Sequence, residues 1–111
     1  MQIFGTKKCK ETQKAERFLK ERGISYQFVD LAQKAMSPRE LDSVAAAVGG
    51  HQKLIDEDSK AFQKRGMAWM EYDPREELLE HPELLRTPII RRRQQAAVGF
   101  DSDKILQLAE A

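Results

Sequence analysis

The stretch MQIFGTKKCKETQKAERFLKERGISYQFVDL, residues 1–31, decides the fold of this chain. It begins with a short apolar run, residues 1–5, which is typical of a buried strand. Helix-forming residues follow from 10 to 22, and Gly23 is a typical helix stop. Residues 25–31 then alternate as a half-buried strand does. Two strands joined by a helix of this length predict a right-handed β-α-β unit with parallel strands.

The middle of the chain predicts several short helices. Ser37-Pro38-Arg39-Glu40 has the pattern of a capping box and opens a helix that stops at Gly49-Gly50. A second helix is predicted over residues 59–65, and a third runs from Asp73-Pro74 to about residue 79. Four large side chains of this region are interpreted as helix-packing groups: Phe62, Met67, Trp69 and Met70.

The end of the chain returns to sheet. Residues 88–90 begin an apolar strand, residues 91–94 read as a polar turn, and residues 95–100 form the second strand of a hairpin. A last helix is predicted over residues 104–109, with Asp101 as its cap. The whole chain, residues 1–111, is therefore predicted to be one α/β domain.

The composition excludes several classes of function. Lys and Arg total 19 and Asp and Glu total 18, so no general basic field favours nucleic acid or anionic lipid. The three arginines at 91–93 are more typical of a solvated turn than of a phosphate site. No apolar stretch approaches the roughly 20 residues that span a bilayer. His51 and His81 make no metal-binding spacing, so no direct nucleic acid, membrane or metal is expected.

Cys9 is the only cysteine and the candidate chemical centre. It lies between the first strand and the first helix, where reactive groups gather in open α/β sheets. A helix N-terminus favours the thiolate, and Lys8 and Lys10 add positive potential. Thr12 lies one turn on, within reach to donate a hydroxyl hydrogen bond to the sulfur. The alternative is an inert buried thiol, since free cysteine is often buried.

A lone thiol also suits a reducing compartment, and we expect a cytoplasmic monomer. Thr87-Pro88 precedes the third predicted strand. On these residues alone the trans peptide bond is favoured, because only ~5–6% of bonds before proline are cis in folded proteins.

Three blocks of the sequence resemble the arsenate reductase/Spx family, the ArsC family. They are residues 5–31, residues 59–69 (SKAFQKRGMAW) and residues 79–101 (LEHPELLRTPIIRRRQQAAVGFD). The resemblance implies a thioredoxin-like fold with a mixed four-stranded sheet and a helical insertion between the second and third strands. It also implies that the bond before Pro88 is cis and faces the reactive thiol.

The subgroup follows from departures from the family pattern. Arsenate reductases of this family hold the oxyanion with three arginines, and the matching positions here are Asp58, Thr87 and the segment 98–100. Only Arg86 offers a substitute, so arsenate reduction is not expected. Spx regulators carry Cys-x-x-Cys, whereas Thr12 occupies the second position here. With its lone cysteine and its Trp69 and VGFD stretches, the chain is most similar to the YffB-like branch.

The resemblance implies a monothiol thiol-disulfide oxidoreductase with Cys9 as nucleophile. No cofactor would be bound, and glutathione or glutaredoxin would supply the second thiol as co-substrate or partner. Lys8, Lys10 and Thr12 would stabilise the thiolate, and Arg86, Thr87 and Pro88 would bind the substrate. The alternative is a non-catalytic regulator that binds the α-subunit of RNA polymerase, as Spx proteins do.

Overall fold

The computed structural model describes residues 1–110. Its four strands are β1 (Gln2–Gly5), β2 (Gln27–Asp30), β3 (Ile89–Arg92) and β4 (Gln95–Val98). Its five α-helices are α1 (Lys10–Glu21), α2 (Pro38–Val48), α3 (Lys60–Lys64), α4 (Pro74–Glu80) and α5 (Ser102–Glu110). Short 3₁₀ helices lie at His51–Leu54, Met67–Trp69 and Pro82–Leu84.

The strands form one mixed sheet in the order β2-β1-β3-β4. β1 pairs with β2 in parallel, and it pairs with β3 in antiparallel orientation, with Phe4 opposite Ile89. β3 and β4 form the predicted antiparallel hairpin. Helices α2 to α4 lie between β2 and β3 in sequence, so the thioredoxin-like fold with a helical insertion is confirmed.

The core lies on both faces of the sheet. Adjacent residues of a strand point to opposite faces, and Ile3 and Phe4 are both fully buried in this way. Phe4 packs in a cluster with α2 and the rest of the helical insertion. Ile3 packs with residues of α1, β3 and α5, including Leu19 and Ile105. The sheet is therefore held between the insertion on one side and α1 and α5 on the other.

The hairpin differs from the prediction in its turn. The prediction of a turn over residues 91–94 was wrong, because Arg91 and Arg92 belong to β3 and pair with Ala96 and Gln95. Arg92 also donates hydrogen bonds to the carbonyls of Leu108 and Ala109, which end α5. One arginine of the run therefore caps a helix.

The helical insertion confirms both predicted caps. Ser37 and Glu40 form the reciprocal bonds of a capping box, and the Asp73 carboxylate accepts from the first turn of α4. The interpretation of Trp69 and Met70 as packing groups was wrong, because they are 93% and 41% exposed. Met67 begins a single 3₁₀ turn and is buried, whereas Trp69 ends that turn and Met70 follows it. One turn is too short to bring a second side chain back to the face that Met67 buries.

None of the helices within residues 1–110 has the length and apolar character needed to cross a membrane.

Candidate active site around Cys9

Cys9 is the N-cap residue of α1. Its backbone N–H donates to the Thr6 carbonyl over 3.2 Å, and its carbonyl accepts from the Gln13 N–H at 3.0 Å. These bonds fix the turn between β1 and α1. The Cys9 side chain makes no capping hydrogen bond to the helix, and the residue is partly exposed. The sulfur is therefore accessible at the positive end of a 12-residue helix.

Thr87 provides the closest polar contact of the sulfur. The bond between Thr87 and Pro88 is cis, as the family resemblance implied and against the preference of the residues alone. The Thr87 hydroxyl donates to Cys9 Sγ over 3.1 Å. The thiol in turn lies 3.7 Å from the Thr87 carbonyl oxygen, in a geometry that lets it donate.

The helical insertion also positions the segment that precedes Pro88, through hydrogen bonds between the two backbones. The Arg86 N–H donates to the Leu54 carbonyl at 2.7 Å, and the Asp56 N–H donates to the Leu84 carbonyl at 2.8 Å. These bonds surround the isolated β-bridge between Ile55 and Leu85. Backbone hydrogen bonds to residues 54–56 therefore hold the segment that leads into the predicted substrate-binding residues Arg86, Thr87 and Pro88. Of these three, Pro88 is fully buried.

The surroundings of Cys9 favour its ionised form. Burial raises the pKa of the thiol, but the nearby hydroxyls of Thr12 and Thr87 lower it. The backbone N–H groups of Thr12 and Glu11, in the first turn of α1, lower the pKa further. The net effect is a pKa below the usual value of a cysteine, as expected for a thiol at a helix N-terminus.

Thr12 does not make the hydrogen bond that the sequence suggested. It is fully buried, and its hydroxyl has no hydrogen-bond partner among the described residues. Its side chain lies against Gly5, where a Cβ atom would come within 2.5 Å of Thr12 Oγ1. The hydroxyl lowers the Cys9 pKa although it makes no hydrogen bond within residues 1–110, and its side chain is packed against β1.

Lys8 and Lys10 are exposed and are not among the groups that lower the Cys9 pKa. Thiolate stabilisation comes from hydroxyl and backbone N–H groups instead. The Thr87 hydroxyl is the contribution that sequence reasoning missed, since Thr87 was expected to bind the substrate and not to contact the thiol. No local pattern could reveal it, because Thr87 is 78 residues from Cys9.

Arg86 lies beside the site without contacting the sulfur. Its guanidinium packs on the backbone of Gly99, where a Cβ atom would approach a terminal nitrogen to 2.9 Å. Arg86 also lines a cleft of about 540 Å³ together with Glu11, Asp56 and Asp58. The first turn of α1 and the pre-proline segment therefore border one cleft, and its charges are mixed.

Comparison with known proteins agrees with the fold and the sequence pattern. The chain is 31% identical over 110 residues to the global transcriptional regulator Spx 2 of Oceanobacillus iheyensis, covering 95% of this chain and 80% of that protein. The structure of a YffB protein superposes with a TM-score of 0.86 at 22% identity, covering 97% of both chains.

An arsenate reductase from Vibrio cholerae superposes with a TM-score of 0.82 at 19% identity, covering 97% of this chain and 98% of that one. The model of the ArsC family matches residues 4–108, from β1 to α5. The chain belongs to the ArsC family.

Proposed function

We propose that this protein is a cytoplasmic, monomeric monothiol thiol-disulfide oxidoreductase with glutathione or glutaredoxin as its reductant. The observation that supports the proposal is the partly exposed Cys9 thiol, whose pKa is lowered by hydroxyl and backbone donors from two segments. The thiolate is the nucleophile in disulfide exchange, so a lowered pKa raises the reactive fraction at neutral pH.

The reaction would proceed in two exchanges. The Cys9 thiolate attacks the glutathione sulfur of a substrate–glutathione disulfide, the S–S bond breaks, and the leaving substrate thiolate takes a proton. Cys9 is then joined to glutathione. A second glutathione, as thiolate, attacks the glutathione sulfur of this mixed disulfide. The bond to Cys9 breaks, and the Cys9 thiolate and oxidised glutathione are released. The sum is one thiol–disulfide exchange: the substrate sulfur is reduced to a thiol, the sulfur of the second glutathione is oxidised in its place, and the two glutathiones leave as their disulfide.

Residues around the thiol would hold glutathione as an extended peptide. The backbone of Thr87 faces the sulfur, and its N–H and C=O groups would pair with the peptide as an added strand does. Lys8 and Arg86 are exposed, Lys8 next to Cys9 and Arg86 next to Thr87 in sequence, and would pair with the glutathione carboxylates. The Thr87 hydroxyl would donate a hydrogen bond to the Cys9 thiolate before the first exchange and again when the second exchange releases it.

Mass spectrometry after treatment with oxidised glutathione tests the proposal. One glutathionyl group should appear on the wild type, none on Cys9→Ser, and reduced glutathione or glutaredoxin should remove it. Amide chemical-shift mapping with reduced glutathione should show changes in residues 6–12 and 86–88 that weaken in Arg86→Ala. An unmodified wild type, or shifts confined to the helical insertion, would contradict the glutathione assignment.

The second candidate is a regulator that acts through the α-subunit of RNA polymerase. It is favoured by the 31% identity to an Spx protein over 95% of the chain. Thr12 replaces the second cysteine of the Spx redox pair, so such a regulator would not form the internal disulfide. Binding to purified α-subunit that survives Cys9→Ser, with no glutathione turnover, would favour this function over the oxidoreductase.

A further inference from the structure

β4 is an edge strand of the sheet, and its open side lies in a groove of about 690 Å³. Residues 94–98 form the floor of this edge groove. Ala47 and Val48, at the end of α2, form one wall, and Gln107 and Leu108 of α5 form the other. The groove therefore lies between the two helical layers, in line with the sheet, where one more strand would continue it.

The backbone of β4 offers free hydrogen-bonding groups to this groove. The Gly99 N–H donates to the Pro88 carbonyl at 2.8 Å. In an antiparallel ladder every second residue pair is hydrogen-bonded, so this bond identifies which residues of β4 bond to β3. Gln95 and Ala97 therefore bond to β3, whereas Ala96 and Val98 turn their N–H and C=O groups outward. No other hydrogen bond to the backbone of Ala96 or Val98 occurs within residues 1–110.

The charged side chains that line the edge groove within residues 1–110 are all cationic, and two of them, Lys53 and Arg86, also border the mixed-charge cleft near Cys9. Lys53, Arg86 and Lys104 line the edge groove, and its described lining contains no carboxylate. These cations lie on flanking segments and not on β4, so they do not block the strand edge as charged edge residues do in other sheets. A second copy of this chain would bring three more cations against these three, which disfavours pairing of two β4 strands.

We propose that the edge groove binds an extended acidic segment of a partner protein, which pairs with Ala96 and Val98 as a fifth strand. Main-chain bonds would supply affinity, and the three cations would select acidic side chains. Apolar residues alternating with the acidic ones all point to one face of the added strand, where they would contact Val48 on one groove wall or Leu108 on the other. Arg86 is the one residue that this groove shares with the proposed glutathione site, whereas Ala96, Val98 and Lys104 belong to the groove alone and test this binding separately from the oxidoreductase function.

A capped peptide with the sequence Thr-Glu-Val-Glu-Val-Glu-Thr is a suitable probe, and the same peptide with Lys in place of Glu is its control. Amide NMR should show shifts of residues 94–98 with the acidic peptide only. Hydrogen exchange at the Ala96 and Val98 amides should slow, because both become bonded. N-methylation of the central peptide amides should abolish binding, and this control leaves the protein unchanged.

Two variants test the backbone and the charge separately. Ala96→Pro removes an outward N–H that the β3–β4 ladder does not use, so it should fold and weaken binding by about tenfold or more. Lys104→Gln should weaken binding by about two- to fivefold. Cys9→Ser should bind as the wild type does.

Several outcomes would overturn the proposal. They are equal binding of the lysine peptide, binding unaffected by Ala96→Pro, and shifts centred on Cys9 or the helical insertion. Self-association of the protein without peptide, removed by Ala96→Pro, would identify a second copy as the occupant and would equally overturn it.

Discussion

The hydroxyl of Thr87 lies 3.1 Å from Cys9 Sγ, although the two residues are 78 positions apart. The sheet brings them together, because β1 and β3 are antiparallel neighbours with Phe4 opposite Ile89. The segment that follows β1 and the segment that precedes β3 must then lie at the same end of the sheet. Cys9 belongs to the first segment and Thr87 to the second, so the thiol environment is a property of the topology.

Replacing Thr87 with valine should raise the pKa of Cys9, because the donor that lowers it is lost while the shape of the side chain is kept. At neutral pH the rate of Cys9 alkylation by iodoacetamide should fall about three- to tenfold, the equivalent of one hydrogen bond of ~1 kcal/mol. Thr87→Ser keeps the hydroxyl and should stay near the wild-type rate. An unchanged rate in Thr87→Val would show that the backbone donors suffice.

Thr12→Val should make the protein more stable. The Thr12 hydroxyl is fully buried and has no hydrogen-bond partner within residues 1–110, so it carries a desolvation penalty that valine of the same shape avoids. We expect a gain of about 1 kcal/mol in the free energy of unfolding, measured by urea denaturation in a Cys9→Ala background, which removes any effect of the hydroxyl on the thiolate. A loss of stability in that background would mean that the hydroxyl has a partner in solution.

Gly5→Ala should have the opposite effect on stability. The added Cβ would lie 2.5 Å from Thr12 Oγ1 and 2.6 Å from Thr12 Cγ2, so β1 and α1 would have to separate. Overpacking of this kind costs about 1–3 kcal/mol. The double variant Gly5→Ala/Thr12→Ala should lose less stability than the sum of the single variants, because the clashing atoms are gone. Additive losses would place the strain elsewhere.

Much of the fold was predictable because local patterns determine it. The capping box at Ser37, the alternation of β2 and the glycine after α1 each indicate one local structure, and the position of Cys9 between β1 and α1 follows from them.

The features that sequence reasoning missed depend on contacts between distant segments. The sequence around Arg92 is typical of a solvated turn, but in the fold the last carbonyls of α5 lie beside the Arg92 guanidinium and accept its hydrogen bonds. Thr12 seems placed to bond the thiol until the close approach of Gly5 fixes its side chain. The Thr87 hydroxyl reaches Cys9 only through the pairing of β1 with β3.

Asp42 should make the stability of the helical insertion sensitive to acid. Hydrogen bonds from Arg75 and His51 lower the pKa of its carboxyl to about 2 from 3.8. Because the pKa is lower in the folded state, the stabilisation is fully present above pH 3.8 and is lost as the pH falls through about 2. Asp42→Asn should therefore lower the urea midpoint at pH 6 and have a smaller effect near pH 2. An equal effect at both pH values would contradict a role for the carboxylate charge.

Arsenate should be a poor substrate. Binding of an oxyanion needs convergent cationic donors, and the cleft beside Cys9 contains Glu11, Asp56, Glu57 and Asp58 against Arg86 and Lys53. Arg86 is the one nearby substitute for the family's arginines, and its guanidinium packs on Gly99 instead of pointing to the sulfur. Arsenate-dependent oxidation of glutathione, coupled through glutaredoxin, should therefore stay near background.

A second measurement separates weak oxyanion binding from an inactive thiol. Inorganic phosphate, at constant ionic strength, should not protect Cys9 of the wild type from alkylation, although the thiol itself reacts readily. Asp58→Arg places a cation at the position where arsenate reductases of the family carry one, so phosphate should now slow alkylation. Asp58→Asn, the matched control, removes the negative charge without adding a donor and should show less protection. Robust arsenate turnover by the wild type, abolished in Cys9→Ser, would show that other residues of this cleft replace the missing arginines.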